Sequence, residues 1–277
     1  MARIDSLGIL LDPSGKDLLA ERYGPVIENV QKGAISQLLK NTNLSGDPTT
    51  GTVEAKRFAF ATSQAYGTAR AAGKGDLVKA KPVTVALDQD RELVEELEEK
   101  DIRLYGVDSV VTRRITEQGD SMVRELERAF FTVAASGGAA FTPSATDPFL
   151  ILEEGILQIE TTENAYVHGV PRNMIHVIMP PTEYSKIRTG INTDIGNAHV
   201  DSAVEEFGRL NGVNVYSSID LPAGVKAIYM CIQAVAQPVL VTKYDAERVN
   251  LSNAIALEMF FSYGTKAVMP DLIAVRS

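Results

Sequence analysis

The sequence predicts an α+β fold: a helical front segment, a two-stranded extension, one long helix, and a C-terminal half where strands and short helices alternate. Three observations predict it. Apolar residues recur at mixed three- and four-residue spacing over 12–40 and again over 107–136, the period of an amphipathic helix. Residues 52–62 and 82–87 alternate apolar and polar, the period of a strand. After Pro143, short apolar runs are separated by Pro, Gly and Asn, which punctuate α/β texture.

The front helix has Asp12 and Ser14 as N-cap oxygens and Pro13 for its first turn. Leu18, Leu19, Val26, Ile27, Val30, Ile35, Leu38 and Leu39 form its stripe, and Gly24-Pro25 is expected to divide it in two. No neighbouring element covers that stripe, so it packs on something distant or on another copy. Residues 41–51 read as a turn-rich linker. In the first strand Val53, Ala55, Arg57 and Ala59 share a face, as do Val83, Val85 and Leu87 in the second. Between the strands, Ser63 to Lys81 is small and polar and holds Gly67, Gly73 and Gly75. A coreless loop of this length inside a compact domain is either functional or without fixed structure.

Asp88 to Asp101 carries a narrow stripe, Leu93, Val94 and Leu97, and reads as a short helix. Val107 to Ser136 is the strongest helix, with Val111, Ile115, Met122, Leu126, Phe130 and Val133 on one face. Asp108 is placed to cap it and Gly137-Gly138 to stop it. At 1.5 Å per residue it spans about 45 Å, longer than a compact domain of this size needs. Gly119 inside it costs about 1 kcal/mol relative to alanine. Beyond Pro143, helices are expected at 148–159, around Tyr184 and at 200–210. Strands are expected at 174–179, 213–217, 225–233, 238–242, 251–262 and 267–275.

Composition narrows the function. A chain of 277 residues, 45% apolar and 23% charged, is globular and large enough to bury a core without staples. Its one cysteine, Cys231, excludes a disulfide framework and a thiolate metal site, and a reducing compartment is the simplest reading. Met1 to Leu11 lacks the feature order of a secretory signal, and no apolar run approaches a membrane span. A net charge of −9 argues against a broad phosphate-neutralising face. That charge is unevenly spread. Thr52 to Lys81 has six basic residues against two acidic, a net of +4, while Asp88 to Asp101 has eight acidic against two basic, a net of −6.

Direct chemistry is thin. His168, His176 and His199 have no metal-ligand spacing, and each reads as structural. Cys231 reads as a small buried apolar residue. Gly67 to Gly75 (Gly-Thr-Ala-Arg-Ala-Ala-Gly-Lys-Gly) has five residues between its first two spaced glycines and no Ser or Thr after the lysine, so it is not a phosphate loop. The acidic run follows no calcium-loop pattern and reads as a solvated face. No catalytic residue, metal or cofactor is expected. What remains is architectural. A basic arm and an acidic belt complement one another between neighbouring copies, with Arg70, Lys74 and Lys79 as loop contacts and Glu92, Glu95, Glu96 and Glu99 as their partners. Head-to-tail contacts of this kind generate rings or lattices.

This order of features resembles the major capsid proteins of tailed bacteriophages, the Hong Kong 97-like fold. Phe207 to Ser218 (Phe-Gly-Arg-Leu-Asn-Gly-Val-Asn-Val-Tyr-Ser-Ser) with Leu221-Pro222 looks like that family's passage into later strands of its axial domain. Phe261 to Val275, with its Tyr263-Gly264 turn and Lys266-Ala267-Val268-Met269-Pro270, looks like the closing hairpin. The acidic passage Leu87 to Leu93 is similar to one before the long helix of some such coats.

The resemblance implies an N-terminal arm at 1–50, an extended loop at 51–87, a peripheral domain at 88–140 and 241–277 with a spine helix, and an axial domain at 141–240. It implies a structural protein, not an enzyme. Such a chain forms pentamers and hexamers of an icosahedral shell, enclosing double-stranded DNA without sequence-specific binding. Implied partners are a portal and a separate scaffolding protein, and no membrane. Its implied location is the virion, and the host cytoplasm during assembly. The rivals are an encapsulin-type shell and a cytoplasmic α/β enzyme using Asp194 and His199.

Overall fold

The computed structural model describes residues 7–61, 63, 65–72, 80–98, 100, 106–194, 209–250 and 252–277. A 3-10 turn, Leu7–Leu11, leads into α1 (Pro13–Gly33) and α2 (Ile35–Leu39). Asp12 is the N-cap residue and Pro13 the first helical residue, although the Asp12 side chain makes no capping bond. The expected break at Gly24-Pro25 does not occur, since α1 runs through Pro25. Tyr23 and Val30 are buried on either side of that proline, with Val26 and Ile27 packed beside them. Burying this face outweighs the roughly 3 kcal/mol that an interior proline costs. The chain breaks instead at Ala34, where the backbone turns extended.

Three strands come next: β1 (Leu44–Ser45), β2 (Thr52–Phe58) and, after the short α3 (Thr68–Ala72), β3 (Ala80–Ala86). They form an antiparallel sheet in the order β1-β2-β3, with Val53 opposite Val85 and Arg57 opposite Lys81. The acidic segment is not the expected helix. It forms β4 (Gln89–Leu97), paired antiparallel with a later strand. Its true period is two: Leu93 and Leu97 face inward with Glu95, while Glu92, Val94 and Glu96 face out. Cross-strand packing overrides the helical preference of its Glu and Leu residues.

The long helix α4 (Val107–Gly137) follows as expected, 31 residues in length. Its N-cap is Gly106 at φ 78°, not Asp108, which lies in the first turn and pairs with Arg22 at 3.1 Å. After β5 (Ala139–Ala140) come α5 (Pro148–Glu160), β6 (Glu163–Asn164), β7 (Val167–His168), β8 (Ile175–Met179) and α6 (Pro181–Asp194). Then follow β9 (Arg209–Leu210), β10 (Val213–Ser217), β11 (Ala227–Cys231), β12 (Val235–Ala236), β13 (Val239–Arg248), β14 (Ile255–Tyr263), β15 (Lys266–Ala267) and β16 (Ile273–Arg276). Of the helix expected at 200–210, residues 200–208 lie outside the described residues, and Arg209–Leu210 is a strand.

A mixed six-stranded sheet has the order β5-β16-β11-β8-β10-β9, and a three-stranded antiparallel sheet has the order β13-β14-β4. In the three-stranded sheet β14 lies between β13 and β4, while β16 joins the six-stranded sheet beside β11.

The length of α4 now has a use. Val107, Val111, Ile115, Met122 and Leu126 belong to the core over the three-stranded sheet, and Phe130, Phe131 and Ala134 belong to the core of the six-stranded one. One helix is a shared strut through both. The stripe of α1 is covered within the same chain, by α4 and β13, so 13–39 is built into the body. A Cβ on Gly119 would overlap Val26 of α1. That glycine exchanges helix propensity for close helix approach.

Candidate assembly interface

The β2–β3 hairpin leaves the body from a small root. Val53, Ala55 and Val85 are buried there with Ala236 and Val268. Lys266 donates from Nζ to the Thr84 carbonyl at 2.9 Å. Gly264 lies against the Ala86 carbonyl with no room for a side chain.

Further along β2 the hairpin meets the body a second time. Arg57 is bidentate to Asp271, its two Nη atoms donating to the two carboxylate oxygens at 2.6 Å each. Asn164 Nδ2 donates to the same carboxylate at 2.6 Å. The Arg57 guanidinium also lies 5.0 Å from the centre of the Tyr166 ring. Its side chain is 10% exposed, so the charge is largely desolvated and the fork geometry carries it. Burial alone would raise the Asp271 carboxyl, but the hydrogen bonds from Arg57 and Asn164 outweigh it and hold it below its usual range. Two residues past the strand, the Phe60 ring stacks on His168 at 4.4 Å and its N–H donates to the Ala165 carbonyl at 3.1 Å. Asn164 shapes the receiving turn, accepting from the N–H groups of Tyr166 and Val167.

These contacts shorten the extension that can reach elsewhere. Through Arg57 and Phe60 the extension is fastened to its own chain. Of the expected loop contacts, Arg70 lies on α3, while Lys74 and Lys79 lie outside the described residues.

The acidic partners are not one belt. Glu92 and Glu96 share the outer face of the β13–β14–β4 sheet, together with half-exposed Val94 and with Phe260, which lies across from Glu92. Glu95 points the other way, toward α4, with Arg114 at 3.8 Å. Glu99 lies outside the described residues. The outer face gains Glu247 and Glu258 from β13 and β14. Lys243 sits among them, 3.2 Å from Glu247 and 3.9 Å from Glu258. Strand alternation, hidden by the helical reading of 88–101, is the signal that would have sorted these acids.

Cys231 is buried, and burial pushes its thiol up to about 11, the reverse of an activated nucleophile. His176 is buried mid-strand, stacked on Tyr216 at 5.8 Å, and burial pushes its imidazole down. Asp194 ends α6 and His199 lies outside the described residues. Among the described residues no group of three His, Cys, Asp or Glu could hold a metal, and no helix is long and apolar enough to cross a membrane. A cleft of about 750 Å³ runs along α4 past Ser121, Arg124 and Arg128 to Asp88 and Tyr263. Its arginines share the carboxylate of Asp220, at 3.8 Å and 2.9 Å. Its acid Glu125 pairs with Arg91 at 2.7 Å.

The Arg57–Asp271–Asn164 cluster was not legible in the sequence. Its members are more than one hundred residues apart, and only the turn-forming character of Asn164 had a local signature.

No protein-family model matches the chain, and no curated protein matches it in sequence. Solved structures do match. A chain from Mycobacterium phage Che8 superposes with a TM-score of 0.63 at 15% identity, covering 88% of this chain and 91% of that one. A chain from the capsid of the Cyanophage P-SCSP1u also gives 0.63, at 14% identity and 88% of each chain. A virus-like particle from Pyrococcus furiosus gives 0.54 at 14% identity, covering 93% of this chain and 98% of that one. The fold is the one these chains share.

Proposed function

We propose that the chain is a major capsid subunit, assembling into an icosahedral shell that encloses phage double-stranded DNA. The observation that carries this reading is whole-chain likeness. About nine-tenths of this chain and of each phage chain named above superpose. The role is structural. Copies meet as pentamers and hexamers, and the loop beyond Phe60, with Arg70, Lys74 and Lys79, lies over a neighbour. Its seat is the outer face of the β13–β14–β4 sheet, where Glu92 and Glu96 flank Val94. Opposite charges there set register and encounter more than affinity. A chain of net charge −9 suits a container whose wall should not hold its DNA tightly. The same reading assigns 88–140 and 241–277 to a peripheral domain and 141–240 to an axial one. It also assigns a portal and a separate scaffolding protein as partners, and the virion as location.

The test is electron microscopy and light scattering of the purified chain across a concentration series. Uniform shells or capsomers support the reading, and a stable monomer or dimer at high concentration overturns it. Mass spectrometry of any shells separates the rival container, since a co-purified enzyme cargo would identify a nanocompartment.

A further inference from the structure

The hairpin is fastened to the body at two separate points. Its root is already fixed by the buried Val53, Ala55, Val85, Ala236 and Val268, and by the close approach of Ala86 to Gly264. Arg57 lies four residues beyond Val53, about 13 Å further out at 3.3 Å per residue. There it meets Asp271 in a largely desolvated fork, with Asn164 on the same carboxylate and Tyr166 against the guanidinium. Phe60 adds a third contact, to His168 and the Ala165 carbonyl.

A two-stranded ribbon held only at its base is free to twist and swing. A ribbon held at two points has a direction. Over roughly 20 Å of ribbon, a tilt of about 10° at the root displaces the far end by about 3–4 Å. That is enough to move a polar contact out of hydrogen-bonding range.

We propose that the contacts of Arg57 and Phe60 with the 163–168 hairpin and Asp271 form a strap that sets the angle of the arm, with Arg57 as its positioning residue. Through that angle the strap sets the curvature at which one subunit meets the next. The consequence for curvature rests on the capsid reading; the strap itself does not. The elements joined differ in kind. Arg57 and Phe60 belong to the extension, whereas Asn164, Tyr166 and His168 belong to the hairpin after α5, and Asp271 to the turn before β16. The strap therefore couples the extension directly to the six-stranded half of the molecule. A buried ion pair contributes little net stability over an apolar replacement, and fixing one geometry is the better-attested use of such a pair.

The experiment compares the full-length chain with Arg57→Ala, Arg57→Lys and Phe60→Ala. Amide hydrogen exchange is followed on unassembled subunits, and particle diameter by electron microscopy. The Phe60 N–H and the 163–168 amides are expected to exchange at least tenfold faster in Arg57→Ala, with Arg57→Lys intermediate because lysine keeps the charge without the fork. Root amides of Val53 and Val85 should be unchanged. Shells of Arg57→Ala should spread over several diameters where the parent gives one. Unchanged exchange at Phe60, or faster exchange with a single parental diameter, overturns the proposal. Should Arg57→Ala fail to fold, Phe60→Ala makes the same test from an exposed position. If the unaltered chain forms no shells at all, the capsid reading falls, and the exchange comparison still decides the strap.

Discussion

Gly264 and the carbonyl of Ala86 touch backbone to backbone, so that a Cβ on Gly264 would occupy the space of the Ala86 oxygen. The turn between β14 and β15 is thereby moulded to the end of the extension. Gly264→Ala should force the two segments apart, and overpacking of this kind costs about 1–3 kcal/mol. The thermal midpoint is expected to fall by several degrees. Gly24→Ala is the counter-case, because nothing lies within 4 Å of its Cβ and the residue is inside α1. It should stabilise the chain by about 0.5–1 kcal/mol. Thermal unfolding of both variants checks the pair, and equal effects would contradict the contact.

Gly119 offers a sharper test of helix packing. By propensity alone, Gly119→Ala should stabilise α4 by about 1 kcal/mol. The overlap with the stiff side chain of Val26 predicts the opposite sign. Adding Val26→Ala should make Gly119→Ala far better tolerated, with a coupling of about 0.5–3 kcal/mol in a double-mutant cycle. Additive effects would mean that α1 and α4 do not meet there.

Glu127 holds α2 in place by accepting from the Ile35 N–H at 2.7 Å. Burial raises its carboxyl above the ordinary value of 4.5, against the lowering effect of the backbone donors. A carboxyl raised on folding favours the protonated form of the native chain. Its unfavourable contribution is absent below 4.5 and grows as pH rises through the folded value. Glu127→Gln should therefore flatten the pH dependence of stability above 4.5 while keeping an acceptor for Ile35. Glu127→Ala should lose about 1 kcal/mol through the lost cap. Thermal midpoints from pH 4 to 8 decide, and a Gln variant with the parental slope would contradict the burial argument.

Charge reversal probes the interface. Arg70→Glu, Lys74→Glu and Lys79→Glu together should weaken assembly most at low salt, where screening is least. Glu92→Lys with Glu96→Lys should do the same, and combining the two sets should restore part of the loss. Glu95→Lys, on the opposite face, should not join that rescue. Light-scattering assembly curves at two salt concentrations distinguish these outcomes, and equal assembly of all variants at low salt would remove the electrostatic pairing.

Deleting 66–78 should leave a folded subunit that cannot build shells, because the root and strap lie outside the deletion. Circular dichroism and electron microscopy read the two halves of that expectation, and normal shells would remove the loop from assembly.

Much of this architecture was legible in local periodicity. The long helix, the hairpin strands and the 213–217 strand follow their sequence periods closely, because burial on one face leaves a strong pattern. The acidic strand was hidden because Leu93 and Leu97 satisfy a helical and a strand period alike, and only the pairing with Leu257 and Met259 chooses between them. Pro25 misled because the burial that carries α1 through it comes from α4, some ninety residues later. The strap was invisible for the same reason: Arg57 and Asp271 are 214 residues apart.

The central claim, that copies of this chain build a shell by laying the loop of one over the sheet of the next, is tested most directly by a cryo-electron microscopy reconstruction of assembled particles. The account predicts closed shells of pentamers and hexamers in which residues 61–79 of each copy contact the outer face of the neighbour's β13–β14–β4 sheet near Glu92 and Glu96. A reconstruction with that loop folded back on its own subunit, or a chain that yields only monomers or dimers, would contradict it.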